Sequence, residues 1–414
     1  ENFPVTGISW FEAMAYANYR NLSLPNVYQW ATAATLSSSS SFMYNSNFSQ
    51  NQLINVGSQD NSNYNGLYDI AGNVREWIVN SLSDDSSIKG ILGGSFNDEP
   101  YYFNDYFGQN SMDRSLGNGL RLVKNLESEF KTDITANDQY FVKVRDFLNE
   151  ENVSDDVFEI FKSQYDYDIL ELNKEEETLD YTVSSFAVDK FIIDAAYNNE
   201  RLPGYIFYDK NIKKPYKPII FFPGSGSINT DSFENGIENR MKQFSYLLSE
   251  GYALIHPIYK STFERRDNIK SDYPNETDEY KNAVIRWGKD YKRAIDYIES
   301  RDDMNMDKLS YYGISWGGSI ANILLAIDDR VKNSVLYVAG IEFQTCKKEV
   351  DKFYYTSRIT IPVLMLNGKF DHFFPLETSQ IPMYKLLGTP DEDKKHYVYE
   401  TGHYVPRDEL IKLH

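Results

Sequence analysis

A strand, a sharp turn and a helix start follow one another in a single run of ten residues: Leu309-Ser310-Tyr311-Tyr312-Gly313-Ile314-Ser315-Trp316-Gly317-Gly318. Its first half is apolar and aromatic, which favours a buried strand, and residues 319–327 form a helix-prone segment. G-x-S-x-G stands between them, and its two glycines let the chain turn tightly around the hydroxyl of Ser315. The pattern predicts a nucleophile elbow with Ser315 as the nucleophile.

Serine is a weak nucleophile until a base takes its proton, so the elbow requires a carboxylate and a histidine further along the chain. Residues 361–367 are an apolar run that predicts a buried strand, and Asp371 follows its end. Residues 395–400 predict a further strand, which leads to His403 on a loop. We predict that His403 is the base and that Asp371 orients it and stabilises its charged form.

Elimination among the five histidines supports His403. It is the one that lies on a loop after a predicted strand and downstream of the acid; the others are His256, His372, His396 and His414. Two alternatives remain open at this point. His403 would then be a surface histidine in a glycine-containing turn, and Asp371 a helix N-cap or turn aspartate.

An oxyanion hole requires two backbone N–H groups that face the developing charge. One is expected from Trp316, the residue after the nucleophile. The other is expected from Ser225, in the small-residue loop 224–227 after the predicted strand 217–223. The alternative for this loop is a flexible turn.

Composition limits the classes of function. The chain has 414 residues, which favours two or more domains, and a net charge of −19, which disfavours nucleic acid and anionic membranes as partners. No apolar run is long enough to span a membrane.

The single cysteine, Cys346, allows neither an intrachain disulfide nor a cysteine-based zinc site, so we expect a cytoplasmic location. Residue 1 falls inside a predicted domain, so we also expect an upstream segment.

The sequence predicts three regions. Residues 1–124 are rich in Gly, Asn, Ser and aromatics; residues 125–180 form an acidic helical connector in which 174–177 is a solvated turn; residues 181–414 alternate between strands and helices. Such alternation predicts an α/β domain with a mainly parallel, twisted sheet and helices on both faces.

Arg265 and Arg266 could bind a substrate carboxylate, but we interpret them as paired surface arginines.

Residues 181–414 resemble the α/β-hydrolase superfamily, in particular its dienelactone hydrolase and prolyl-oligopeptidase-like branch. The matching segments are residues 221–226, 313–317, 366–371 and 401–403. The resemblance implies an α/β-hydrolase fold and the same triad of Ser315, Asp371 and His403.

Residues 1–124 resemble the formylglycine-generating enzyme, or sulfatase-modifying factor, family, which implies a partial α+β domain of C-type-lectin-like fold. The matching segments are residues 4–16, 66–77, 93–96 and 119–123. Oxidising members of the family use two cysteines, and an iron-dependent branch uses histidines, but residues 1–124 contain neither residue type. We therefore expect this domain to be non-catalytic.

One metal site is implied by the same resemblance. Residues 69–76 are similar to a calcium loop of the family, with carboxylates from Asp69 and Glu76 and carbonyls from Gly72 and Val74. The alternative is a glycine turn packed by Trp77. The hydrolase domain itself is expected to need no cofactor.

Three functions remain open from the sequence. The first is a serine hydrolase that cleaves a small carboxylic ester, the second a serine peptidase of the prolyl-oligopeptidase type, and the third a non-catalytic binding or sensor module. No repeat of about 40 residues that would form a propeller occurs, which disfavours the peptidase. The pairing of the two domains is similar to that of bacterial proteins in which both follow a Ser/Thr kinase, which implies a kinase domain upstream in a longer protein.

Overall fold

A computed structural model of the protein describes residues 2–34, 42, 45–48, 50–81, 87–98, 103, 107–124, 145–168, 171–183, 185–269, 271–369, 371, 373–399, 401 and 403–413. The chain divides into two compact units, Glu1–Val144 and Arg145–His414. Among the helices of these described ranges, none is both long enough and apolar enough to cross a membrane.

The first unit packs two helices and a small sheet. The helices are α1 (Trp10–Tyr19) and α2 (Val27–Ala34), and the strands are β1 (Arg75–Ser81), β2 (Ile88–Leu92), β3 (Phe107–Asn110) and β4 (Asn118–Gly119). The strand order is β3-β2-β1-β4, with only the β1–β4 pair parallel. A capping box of Ser9 and Glu12 starts α1, and the fully buried Trp77 donates from Nε1 to the carbonyl of Ile8, 2.9 Å away.

The second unit is built on a nine-stranded sheet. Its strands are β5 (Glu175–Val183), β6 (Phe186–Asp194), β7 (Arg201–Asp209), β8 (Lys217–Phe222), β9 (Tyr252–Pro257), β10 (Ser310–Ile314), β11 (Asn333–Tyr337), β12 (Val363–Gly368) and β13 (Lys394–Tyr399). The order is β13-β12-β11-β10-β8-β9-β7-β6-β5. Strands β13 to β9 are parallel, and β7, β6 and β5 continue the sheet antiparallel. The predicted mainly parallel sheet is confirmed.

Helices cover both faces of this sheet, as the alternating pattern predicted. They are α3 (Asp155–Ser163), α4 (Ile237–Leu248), α5 (Asp278–Glu299), α6 (Trp316–Ile327), α7 (Phe353–Thr356), α8 (Ile381–Leu386) and α9 (Arg407–Leu413). The larger core contains the buried side chains of α5 and α6, and a second core lies under α4. The long helix α5 forms because apolar residues recur at helical spacing, and its face of Trp287, Tyr291 and Ile298 is fully buried.

Part of the predicted connector, residues 125–180, lies in the second unit. Residues 125–144 are outside the described ranges, but Phe147, Phe158 and Tyr165 are buried in the larger core, and β5 begins at Glu175. Arg145 is also tied down, with Nη1 2.8 Å from Asp351 Oδ2. The sequence predicted a helical connector here, and the structure shows that three of its aromatic side chains pack into the core of the second unit.

Parallel strands bring their carboxyl ends to one edge of a sheet. The loops that follow β8, β9, β10, β11, β12 and β13 therefore share this edge. The 224–227 loop follows β8, the 259–277 loop follows β9, and Ser315 follows β10. The 338–352 segment follows β11, Asp371 follows β12, and His403 follows β13.

Candidate active site

Ser315 lies at the sharp turn between β10 and α6, with φ 55° and ψ −109°. Positive φ is uncommon for residues other than glycine, so the surroundings must hold this turn. The N–H of Ser315 donates to the carbonyl of Tyr337 on β11, 2.9 Å away. A Cβ at Gly313 would lie 2.3 Å from the carbonyl oxygen of Gly317, and one at Gly317 would lie 2.1 Å from that of Phe222. Both glycines are required because three backbone segments meet around the serine.

The side chains of Ser315, His403 and Asp371 form one continuous hydrogen-bonded chain. Nε2 of His403 is 2.7 Å from Oγ of Ser315, and its Nδ1 is 2.6 Å from Oδ2 of Asp371. An ionised carboxylate can only accept, so Nδ1 carries the proton and Nε2 accepts from the serine hydroxyl. Asp371 is 2% exposed, and its Oδ1 accepts from the N–H groups of Phe373 and Phe374 at 2.9 and 3.1 Å. This arrangement can pass a proton from the serine to the imidazole and hold the charge that results.

Two further described histidines make other contacts. His256 is 1% exposed among aromatic rings, and burial lowers its pKa well below the usual value. His396 contacts a side-chain amide, and burial lowers its pKa to about 4. His372 and His414 lie outside the described residues. The loop position that singled out His403 in the sequence thus identified a histidine that contacts Ser315.

Two backbone N–H groups lie at helix starts next to the serine. Trp316 is the first residue of α6, and Ser225 is the first residue of a 3-10 helix, Ser225–Ile228. N–H groups in a first turn have no carbonyl of their own helix to which they can donate. Both are therefore available to an oxygen atom bound beside Ser315.

The loop that carries Ser225 closely approaches the nucleophile. The N–H of Gly317 donates to the carbonyl of Pro223, 3.1 Å away, which ties the elbow to this loop. A Cβ at Gly224 would lie 3.6 Å from the Cβ of Ser315. The two N–H groups predicted for an oxyanion hole are therefore neighbours in space, and their role stays a prediction.

A buried ion pair holds the 259–277 loop. The Arg265 side chain is 8% exposed, and its Nη1 is 2.6 Å from Oδ2 of Asp290, which is fully buried on α5. Asp290 also accepts from the N–H of Lys260 and from the hydroxyl of Tyr197, each at 2.9 Å. These bonds fix the start of the loop against α5.

The interpretation of Arg265 and Arg266 as paired surface arginines is wrong for the first and right for the second. Arg266 is 41% exposed and lies 2.5 Å from the exposed carboxylate of Asp231. Arg265 differs because the buried Asp290 attracts it into the protein. Adjacent arginines gave no sequence signal for this difference.

Two charged residues near the nucleophile were missed by the sequence analysis. Glu342 and Lys352 are each 3% exposed at the side chain and lie 2.6 Å apart. Glu342 also accepts a hydrogen bond of 2.5 Å from the hydroxyl of Ser319, whose own N–H donates to the carbonyl of Ser315. Charged residues are rarely buried, and no motif marks these two, so only the fold reveals the pair.

Two family comparisons match separate parts of the chain. Residues 203–399 match the dienelactone hydrolase family, and residues 1–126 match the sulfatase-modifying factor enzyme 1-like domain. The chain resembles one family in each unit. The second unit, Arg145–His414, is therefore called the dienelactone-hydrolase-like domain, and the first unit, Glu1–Val144, the sulfatase-modifying-factor-like domain.

Individual relatives are more distant. The protein YtaP of Bacillus subtilis (strain 168) is 25% identical over 146 residues, which are 32% of this chain and 47% of YtaP. The chain therefore matches about half of that relative's length. Acetyl xylan esterase 1 from Thermoanaerobacterium sp. JW/SL YS485 has a TM-score of 0.50 at 15% identity, over 64% of this chain and 94% of its own. An acetyl xylan esterase from Paenibacillus sp. R4 has a TM-score of 0.46 at 16% identity, over 63% and 93%. The match to the dienelactone hydrolase family and the likeness to acetyl xylan esterase 1 show that this domain has the α/β-hydrolase fold.

In the sulfatase-modifying-factor-like domain, Glu76 is committed to an arginine. Its carboxylate is 2.7 Å from Nη2 of Arg121 and also accepts from Nε1 of Trp30 at 2.8 Å. The charge of Glu76, with a smaller contribution from Asp69, raises the pKa of Arg121. A guanidinium therefore already neutralises this part of the loop.

The carboxylate of Asp69 also has partners within the domain. Asp69 accepts from a backbone N–H at 2.7 Å and from the side-chain amide of Asn61 at 2.9 Å. Glu76 is thus already neutralised by Arg121, and the calcium site of Asp69, Gly72, Val74 and Glu76 stays a prediction.

Proposed function

We propose that the dienelactone-hydrolase-like domain is a serine hydrolase that cleaves carboxylic esters by acyl transfer. The observation that carries the proposal is the unbroken chain from Ser315 through His403 to Asp371, with contacts of 2.7 and 2.6 Å. These three side chains lie beyond the carboxyl ends of the parallel strands, where ligands of α/β folds bind. The match to a hydrolase family over residues 203–399 supports the same conclusion.

Acylation would begin at the serine hydroxyl. Oγ of Ser315 attacks the ester carbonyl carbon while its proton passes to Nε2 of His403. Asp371 stabilises the imidazolium and keeps its Nδ1–H directed at the carboxylate. The ester C–O bond then breaks, and the alcohol leaves with the proton from His403, so the acyl group remains on Ser315.

Deacylation repeats these steps with water. The water oxygen attacks the acyl carbon while His403 takes a proton from that water. The bond from the acyl carbon to Oγ of Ser315 then breaks, His403 returns the proton to Oγ, and the carboxylic acid leaves. In both half-reactions the carbonyl oxygen becomes negatively charged. The N–H groups of Trp316 and Ser225 would stabilise that charge.

Removing one of these N–H groups should slow the reaction without changing the fold. In Ser225→Pro the N–H is lost, and proline is tolerated because residue 225 starts a helix and Gly224 is extended at φ −75° and ψ 167°. We expect kcat for an ester to fall by about 10²- to 10³-fold. Ser225→Ala keeps the N–H and is the matched control, with kcat expected within a few-fold of the wild type. Equal rates for the two variants would show that Ser225 supplies no oxyanion contact.

The sulfatase-modifying-factor-like domain contributes no catalytic group in this proposal. Residues 1–126 contain neither cysteine nor histidine. Cys346 belongs to the other unit, and burial raises the pKa of its thiol, which disfavours the reactive thiolate. We infer that the chemistry of the chain resides at Ser315.

A fluorophosphonate probe tests the proposal directly, because it phosphonylates only an activated serine. We expect one adduct per chain, located by peptide mass spectrometry at Ser315. Ser315→Ala should take up no probe and should not hydrolyse 4-nitrophenyl esters. Ser319→Ala, which alters the next serine along α6, is the control and should still be labelled.

The same experiment separates the alternatives. Absence of an adduct under conditions that label an authentic serine hydrolase would favour a non-catalytic binding or sensor module. Labelling together with faster cleavage of short peptide amides than of esters would favour a peptidase. Labelling with ester cleavage alone is the result that we expect.

A further inference from the structure

Two neighbouring phenyl rings contact the imidazole of His403 from the loop that carries Asp371. The ring centroid of Phe373 lies 4.8 Å from that of the imidazole, with the two planes tilted by 59°, and the ring of Phe374 lies 5.9 Å away with a tilt of 40°. Both distances are within the range of interacting aromatic pairs. The loop that supplies the acid therefore also places two aromatic side chains against the base.

The two rings differ in burial. Phe374 is 4% exposed and packs where Gly340 leaves room, since a Cβ at Gly340 would lie 2.6 Å from the Cβ of Phe374. Phe373 is 47% exposed, although its ring contacts a side chain at the centre of the site. Single exposed apolar residues are common on protein surfaces, but binding sites for organic molecules are lined by aromatic rings. The position of the half-exposed Phe373 ring, directly beside His403, fits a ring of the second kind.

The chemistry of acyl transfer decides which part of an ester would meet this ring. In the proposed acylation the carbonyl carbon is bonded to Oγ of Ser315, and the leaving oxygen takes its proton from Nε2 of His403. That oxygen must come within hydrogen-bond distance of Nε2. Nε2 belongs to the imidazole ring, so the centroid of the Phe373 ring is separated from it by at most the 4.8 Å spacing plus one ring radius. The alcohol group is therefore the part of the ester within reach of Phe373.

We propose that Phe373 is a specificity-determining residue that binds the alcohol portion of the substrate, so that the site prefers esters of alcohols that carry an aromatic ring. The inference rests on the proposed function and names a substrate class for the same site. An aromatic ring on the first carbon of the alcohol packs against the exposed part of the Phe373 ring and removes apolar surface of both rings from water. A small aliphatic alcohol such as ethanol cannot make this contact.

Two acetates isolate this contact. Benzyl acetate and ethyl acetate form the same acetyl-enzyme, and their alcohols are similarly basic, so their kcat/KM values differ mainly through binding of the alcohol group. Titration of the released acetic acid measures both rates with the full chain. We expect kcat/KM to be about 10- to 50-fold higher for benzyl acetate, because an aromatic pair adds to the apolar area that is buried.

Phe373→Ala should lower this preference by about 5- to 20-fold, because the ring that meets the benzyl group is lost. The N–H that residue 373 donates to Oδ1 of Asp371 at 2.9 Å belongs to the main chain and survives the substitution. Phe373→Leu keeps an apolar side chain without the flat ring. Its preference for benzyl acetate should lie between those of the wild type and Phe373→Ala.

An acyl series at constant alcohol gives a second readout. Benzyl acetate and benzyl butyrate differ only in the group that stays on Ser315, so Phe373→Ala should keep the ratio of their kcat/KM values within about twofold of the wild-type ratio. A Phe373 ring that merely supported His403 would act differently. Its loss would lower the rates of all three esters by one common factor and leave the preference for benzyl acetate over ethyl acetate unchanged.

Tyr397→Ala is the matched control. Tyr397 also carries an exposed aromatic ring, but it lies within β13 rather than beyond the end of that strand. Its preference for benzyl acetate should equal that of the wild type. An unchanged preference in Phe373→Ala, in a chain that the fluorophosphonate probe still labels at Ser315, overturns this inference alone. Failure of the wild type to hydrolyse any of the three esters, with Ser315 unlabelled, overturns the proposed function and the inference with it.

Discussion

His403→Ala should lower kcat/KM for a neutral 4-nitrophenyl ester by about 10³- to 10⁶-fold. Without the imidazole, the Ser315 hydroxyl has no base within hydrogen-bond distance among the residues described around it, and the buried Asp371 loses the side chain that it orients. Steady-state kinetics with the full chain measures the loss. The double variant Ser315→Ala/His403→Ala should be no slower than the worse single variant, because groups that act as a unit are not additive.

His396→Gln provides the control for this prediction. His396 lies on β13, four residues before the loop that bears His403 begins, and its Nε2 contacts the side-chain oxygen of Asn367 at 3.1 Å. Glutamine can keep that contact, so kcat/KM should stay within a few-fold of the wild type. A loss of less than tenfold in His403→Ala would remove His403 from the mechanism.

Asp290→Ala should destabilise the dienelactone-hydrolase-like domain by about 3–5 kcal/mol. The change removes the nearer carboxylate of the Arg265 guanidinium, which is 8% exposed, and leaves it only Glu200 at 3.3 Å. It also removes the acceptor for the N–H of Lys260 and the hydroxyl of Tyr197. Scanning calorimetry of the full chain should show a transition whose Tm has fallen by about 10 °C. The 259–277 loop would lose its anchor in the same variant.

The neighbouring ion pair is a natural control. Asp231 pairs with Arg266, but its side chain is 82% exposed, so Asp231→Ala should change the free energy of unfolding by less than about 1 kcal/mol. The double variant Arg265→Met/Asp290→Leu should be less destabilised than Asp290→Ala, since no unpaired charge remains buried. Equal Tm shifts for Asp290→Ala and Asp231→Ala would show that burial does not decide the strength of these pairs.

The sequence predicted the elements of the site better than its surroundings. The order of Ser315, Asp371 and His403, each after an apolar run, was sufficient to place them at one edge of a parallel sheet, and the structure brings their side chains together. Their roles stay a prediction. Burial of Arg265 and of the Glu342–Lys352 pair could not be predicted, because it depends on partners that only the fold brings close.

Strand β5 shows the same limit in the fold. Residues 174–177 were predicted as a solvated turn, and three consecutive glutamates do have low strand propensity. The structure instead begins β5 at Glu175, at the outer edge of the sheet, where charged side chains are common. Glu175 lies 2.7 Å from Arg201, and Glu176 lies 2.9 Å from Arg301. These partners are far along the chain, so local propensity could not reveal them.

His403 follows β13, which is the outermost strand at the other end of the sheet and pairs only with β12 in the nine-stranded order. An edge strand can separate from its neighbour at a lower free-energy cost than a central strand, so local opening there precedes global unfolding. Such fraying would carry the base away from Ser315 while β10 and the elbow stay intact. The resistance of the site to heat or denaturant is therefore set by the free energy needed to separate β13 from β12, rather than by the stability of the core beneath the serine.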